Sequence, residues 1–177
     1  MMNILVTYAS KHNATAEIAN AIGEVIRQSS GLDVDVRSVE TVEDIAPYDA
    51  VVLGSAVYAG QWQSAATDFL KQHAGELAQR PVWLFSSGPT GEGDPKALVK
   101  GWLFPEALKA TVGRIQPRDI AVFHGKLDPA TLSFLERLVV KGVHAPMGDF
   151  RDWDMIREWA ASIAQALQRQ QRPVRVS

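Results

Sequence analysis

Short apolar runs alternate with amphipathic helical stripes along almost the whole chain, and this alternation restricts the fold more than any other feature of the sequence. The apolar runs are residues 3–8 (NILVTY), 50–57 (AVVLGSAV), 81–87 (PVWLFSS) and 118–124 (RDIAVFH). Residues 32–37 (LDVDVR) alternate apolar and charged, as a half-covered edge strand does. Between them, Ile18, Ile22, Val25 and Ile26 recur at helical spacing, and the pattern predicts that Gly31 ends that helix. A short helix is expected around 41–46, another over 64–77, and mostly helical structure over 95–111, with Pro105 opening a second segment. Ile156, Trp159, Ala160, Ile163 and Leu167 form the stripe of a last helix, with Asp152 as its N-cap. Strand–helix alternation of this kind implies a parallel sheet covered on both faces. Right-handed crossovers leave few topologies, and a flavodoxin-like, doubly wound, five-stranded α/β sheet of order 2-1-3-4-5 is the simplest. Segment 125–150 falls outside the count. It is an insert after the fifth strand and carries an apolar helix expected at roughly 129–141. One domain is expected over 1–168, with a disordered tail over 169–177 (RQQRPVRVS).

Composition removes several functions. The chain contains no Cys, which excludes disulfides, thiolate catalysis and Cys-based metal or Fe–S sites, and fits a cytoplasmic location. A net charge of −2 gives no electrostatic case for a nucleic-acid partner. Met1-Met2-Asn3 places no basic residue before the first apolar run, so no signal peptide is expected. No apolar stretch reaches the roughly 20 residues of a membrane span. The four His residues (12, 73, 124, 144) lack metal-ligand spacing and read as structural or solvated.

In a sheet of this order, ligands bind at the carboxyl ends of the strands, near the switch point. Three loops meet there. Ser10, Lys11, His12, Asn13, Ala14 and Thr15 lie between the first strand and its helix. A helix N-terminus offers unpaired N–H groups to an anion, and Ser10 and Thr15 add hydroxyls. Ala56, Val57, Tyr58, Ala59, Gly60 and Trp62 follow the third strand and bring two aromatics. Ser86, Ser87, Gly88, Pro89, Thr90, Gly91 and Asp94 follow the fourth, where the glycines let backbone approach a ligand closely. A phosphorylated, flat aromatic ligand satisfies all three loops, which points to flavin mononucleotide (FMN). At least one of Tyr58 and Trp62 is expected to stack on the ring. The third loop has no aromatic between 86 and 95, so one ring face is expected to be covered and the other partly open. Glu92 and Asp94 read as a solvated acidic pair. The alternative is that they lower the flavin potential. Leu132, Leu135, Leu138 and Val139 with Phe134 read as a core stripe, with a docking surface for a membrane or apolar partner as the alternative.

The first loop carries an aromatic at the strand end, Ser two residues later, Thr five after that and Ala four further on: Tyr8, Ser10, Thr15 and Ala19. In this it resembles the flavodoxin-fold proteins. Thr7 and Asn13 depart from that pattern, and Asn tolerates positive φ well enough to preserve the loop. The Ser10–Thr15 loop without a Gly, the run GSAVYAGQWQSA (54–65), Gly125 and the long insert after it resemble the menaquinone-dependent protoporphyrinogen oxidases more closely. These are flavodoxin-like FMN enzymes of haem biosynthesis, and in that family the insert is associated with enzyme activity. The resemblance implies an oxidoreductase that moves electrons from a reduced planar substrate to a quinone or other acceptor. It implies the inner face of the membrane as a place of work and leaves a homodimer open. No side chain is assigned as a catalytic acid or base, because the flavin would do the redox chemistry. The alternative is a non-enzymatic electron carrier of the flavodoxin type.

Overall fold

The computed structural model describes residues 1–142 and 144–171. Along the chain run β1 (Met2–Ala9), α1 (Ala14–Arg27), β2 (Leu32–Ser38), β3 (Ala50–Tyr58), β4 (Gln61–Trp62), α2 (Ser64–Gln72) and α3 (Ala74–Leu77). Then follow β5 (Val82–Ser87), α4 (Pro95–Leu98), α5 (Lys109–Ile115), β6 (Asp119–Phe123), β7 (Lys126–Leu127), α6 (Phe134–Gly142), β8 (Gly148–Asp149) and α7 (Trp153–Gln171). The five long strands form a parallel sheet in the order β2-β1-β3-β5-β6, which is the expected 2-1-3-4-5 winding.

Side chains alternate across the sheet because successive Cβ atoms point to opposite faces. Ile4, Val6, Val52, Trp83 and Phe85 meet α1 and α7, through Ile18, Ile22, Ile156 and Ile163. Leu5, Val51, Leu53, Val82 and Leu84 meet α2, α3 and α5, through Phe69, Leu70, Leu77 and Val112. Each of these fully buried side chains stabilises the fold by about 1.5–3 kcal/mol before entropy is subtracted. One close fit sets the centre of the sheet. Gly54 pairs with Phe85, and a Cβ at Gly54 would come within 1.9–2.3 Å of the Phe85 ring. The missing side chain gives that ring its space.

Asp152 caps α7 as expected, its Oδ1 accepting from the N–H groups of Asp154 and Met155, each at 3.0 Å. Several boundaries differ from expectation. α1 ends at Arg27, and Gly31 (φ 82) instead turns the chain into β2. The helix expected at 41–46 is a single 3-10 turn over Val39–Thr41, capped by Ser38. The 64–77 helix breaks at His73. The 95–111 segment is helical only at Pro95–Leu98 and again from Glu106, because Lys100 (φ 51) and Gly101 (φ 76) reverse the chain between them. The insert helix starts at Phe134 rather than 129. Asp128 first holds a side-chain turn over Ala130 and Thr131. α7 runs through Gln171, three residues past the expected limit of order, and the rest of the expected tail lies outside the described residues. Among the described residues no helix is long and apolar enough to cross a membrane.

The insert folds back on itself. β7 and β8 pair antiparallel, and Phe150 N–H donates to Gly125 O at 3.2 Å. Arg151, with a 3% exposed side chain, grips Asp149 with two nitrogens at 2.8 and 2.7 Å and reaches Glu17 on α1 at 2.6 Å. The guanidinium also lies 4.6 Å from the Trp153 ring centroid. These contacts fix the base of the insert to the first turn of α1. The stripe on α6 is not core. Phe134, Leu135, Leu138 and Val139 are 52–76% exposed, and only Leu132, ahead of the helix, is buried.

Candidate cofactor site

The carboxyl ends of β1, β3, β5 and β6 open onto one cavity of about 290 Å³. Ala14 and Thr15 line it from the first loop, Ala56, Val57, Tyr58 and Ala59 from the second, and Ser87, Gly88, Pro89 and Thr90 from the third. Three loops far apart in sequence therefore share one space. Their backbones sit close together. A Cβ at Gly88 would meet Val57 Cβ at 2.9 Å, and one at Gly125 would meet Gly88 O at 3.0 Å. Gly88 N–H donates to Phe123 O at 3.2 Å and Gly125 N–H to Pro89 O at 3.0 Å, which stitches the ends of β5 and β6.

The first loop is shaped for an anion. Asn13 adopts a left-handed conformation (φ 62) and gives α1 no side-chain cap; Ala14 N–H donates to His12 O and Glu17 N–H to Asn13 O, which leaves the N–H groups of Thr15 and Ala16 without a side-chain cap. Thr15 is buried at the cavity edge. Ser10 Oγ is the one buried side-chain polar atom without a hydrogen-bond partner among the described residues. A buried hydroxyl with no partner costs free energy, and a ligand oxygen would remove that cost. An orphaned donor beside an uncapped helix start fits a phosphate group.

Lys11 and His12 do not line the cavity; their side chains turn to the insert. Lys11 Nζ pairs with Glu136 Oε1, and His12 Nε2 lies 3.2 Å from the same oxygen. Lys11, with the Ser133 backbone N–H, the Ser133 hydroxyl and His12, holds the Glu136 carboxyl far below the usual carboxylate range. Burial, and then the charge of Glu136, push the Tyr58 phenol up. Tyr58 thus stays neutral at physiological pH. It presents its ring to the cavity, with Lys11 Nζ 5.5 Å from the centroid.

Several expected residues play other parts. Trp62 is 5% exposed and sits inside the core, its indole N–H donating to Ser86 Oγ at 2.8 Å. Ser86 in turn donates to Leu103 O at 2.8 Å. Neither lines the cavity, and Tyr58 is the aromatic of the second loop that does. Ala59 (φ 49) and Gly60 (φ 71) form the two-residue turn joining β3 to β4, and both central residues at positive φ are what such a tight hairpin requires. Gly60 opens instead onto a neighbouring cleft with Trp102 and Val99. Asp94 caps α4 by accepting from Lys96 N–H at 3.0 Å. Gly91 (φ 126) turns the third loop, and a Cβ there would pack near Leu98 and Pro146. Buried His124 holds that loop from below, its Nε2 2.7 Å from Gly93 O.

Gly125, Lys126, Leu127, Val139, Val140 and Ala145 also line the cavity and were not among the candidate site residues. Gly125 carried a positional signal, directly after the last strand. Nothing local marks Val139 or Val140, because only the return of the insert brings them over the sheet end.

Fold and cavity together define a flavin-binding protein of the flavodoxin type, and comparison with known proteins agrees. The flavodoxin domain family model matches residues 5–154, and the chain belongs to that family. It is 23% identical over 174 residues to the protoporphyrinogen IX dehydrogenase [quinone] of Escherichia coli K12, covering 92% of this chain and 95% of that protein. The Leishmania major protein of the same description is 22% identical, over 90% of this chain and 74% of that protein. Among solved structures, an archaeal flavodoxin superposes with a TM-score of 0.64 at 15% identity, covering 94% of this chain and 99% of that one. FMN is the cofactor of this family, and the chemistry of the residues is compatible with it: Thr15 and the start of α1 border the cavity, Ser10 does not line it but carries an unpartnered hydroxyl in the same loop, and Tyr58 and Gly88 line it from the other two loops.

Proposed function

We propose that this flavodoxin-type oxidoreductase is an enzyme that takes electrons from a reduced, planar organic substrate of the protoporphyrinogen IX kind and delivers them to a quinone. The observation that carries this reading is the wall that the insert adds to the three loops of the cavity. Val139, Val140 and Ala145 of the insert stand over the cofactor site. A carrier exchanging electrons at an exposed ring edge has no use for such a wall, whereas an enzyme must hold its substrate against the ring. The likeness to the E. coli dehydrogenase, which extends over nearly the full length of both chains, supports the same reading.

Bound FMN supplies the two-electron chemistry. The chain does the rest. Ser10 and Thr15 anchor the phosphate. Val57, Leu127 and Val140, which line the cavity, would border the ring. Lys126 is the cation among the lining residues and would meet a substrate carboxylate. The neutral phenol of Tyr58 offers a flat surface and no competing charge. In each turnover the substrate loses two electrons and two protons, and the quinone gains both as it becomes the quinol. We place this work in the cytoplasm, with exposed Phe134, Leu135 and Leu138 as the surface that meets the membrane holding the quinone.

The test is an anaerobic assay of the FMN-loaded protein with protoporphyrinogen IX and a naphthoquinone, following porphyrin fluorescence. Porphyrin formation above a protein-free FMN control is expected. FMN binding without turnover, together with fast one-electron exchange with a flavodoxin reductase, would instead identify a carrier.

A further inference from the structure

We infer that the insert is a lid over the flavin cavity, and that Glu136 is the positioning residue that latches it to the phosphate loop. This inference rests on the flavin reading of the cavity. The base of the insert is well secured, by the β7–β8 pair, by the Phe150–Gly125 hydrogen bond and by Arg151 on Glu17. Its helix is not. α6 has no buried residue. Among the described residues, its hydrogen bonds to groups outside the insert all run through Glu136, to Lys11 and His12. Every other hydrogen bond of α6 closes within its own segment, such as Arg137 Nε to Leu132 O at 3.2 Å and Ala145 N to Val140 O at 3.2 Å.

Glu136 is prepared for this contact. Ser133 and Glu136 form a reciprocal capping box: Ser133 N–H donates to Glu136 Oε2 at 2.8 Å, and Glu136 N–H donates to Ser133 Oγ at 3.3 Å. One carboxylate oxygen caps the helix while the other holds the phosphate loop. The same side chain therefore starts α6 and sets where it sits. One turn later Val139 and Val140 line the cavity, so the position of Glu136 decides whether that wall is closed. A latch of this design governs how long a flavin stays. It does not read the phosphate.

Glu136→Gln separates these roles, because Gln preserves the capping box and loses the charge. For a partly exposed pair, release of both FMN and riboflavin should accelerate about threefold to fivefold, by the same factor for each. Hydrogen exchange in residues 133–142 should rise while that of β1 and β3 stays unchanged. A double-mutant cycle with Lys11→Gln is run on riboflavin, which carries no phosphate. Lys11→Gln should accelerate release by no more than Glu136→Gln does, since His12 still meets Glu136, and the double variant should add nothing to Glu136→Gln. Unchanged release of both flavins overturns the latch. So does tighter FMN with unaltered riboflavin, which would show only that a negative charge had been removed near the phosphate. Failure of the wild-type protein to bind any flavin overturns the cofactor reading and this inference with it.

Discussion

Replacing Ser10 with Ala should move two measurable quantities in opposite directions. In the protein without flavin, Ser10 Oγ is buried and has no partner. Leaving a polar group in that state costs about 1–3 kcal/mol, so deleting the oxygen should stabilise the flavin-free fold by up to that amount. For a chain of this size each 1 kcal/mol raises the melting temperature by about 2–4 °C. In the FMN complex the same hydroxyl would donate to a charged phosphate oxygen, a bond worth about 1.5–3 kcal/mol. At about 1.4 kcal/mol per tenfold, Ser10→Ala should weaken FMN roughly 10- to 150-fold. Riboflavin has no phosphate and should change by less than about threefold, since a missing neutral contact is worth little. Calorimetry on the flavin-free protein and fluorescence titration with both flavins test the two halves separately. A variant that melts lower than wild type, or that loses both flavins equally, would show that Ser10 is structural and does not hold the phosphate.

The site makes further predictions. Trp62→Phe should cost about 1 kcal/mol in urea denaturation, the worth of the hydrogen bond to Ser86, and leave the FMN dissociation constant within about twofold. Gly125→Ala should destabilise by about 1–3 kcal/mol and weaken flavin binding, because the new Cβ would meet the Gly88 backbone at 3.0–3.2 Å and backbone yields less readily than a side chain. The Asp149 carboxyl is held below its usual value, chiefly by Arg151. A lowered folded-state value means that its contribution is present above the ordinary carboxyl range near 4 and is lost as pH falls through the lowered one. The stability advantage of wild type over Asp149→Asn should therefore be full at pH 6 and shrink below about pH 4, as read from urea midpoints at each pH.

Legibility in the sequence follows the range of the interaction. The long strands and α1 and α7 are written in local periodicity, and Asp152 marks its helix start through atoms two and three residues away. The loop Ser10–Thr15 is legible for the same reason, since its strand, turn and helix are contiguous. Trp62 shows where that logic stops. Two aromatics four residues apart at a strand end look equivalent, yet β4 turns back on β3 and drives Trp62 into the core while Tyr58 stays at the cavity. The stripe on α6 shows the converse. Its spacing is that of any core helix, but among the described residues no second layer covers it.

Local signals alone specify a parallel sheet wound in one order, with a short polar loop at its switch point, because strand, turn and helix patterns need no distant partner. The folded chain sets which apolar residues are inside, which aromatic faces the cavity and which insert residues line it. His12 and Glu136 are 124 residues apart, and Glu17 and Arg151 are 134 apart. No periodicity reaches that far. Such pairs exist only once the crossovers have brought the insert back over the start of α1.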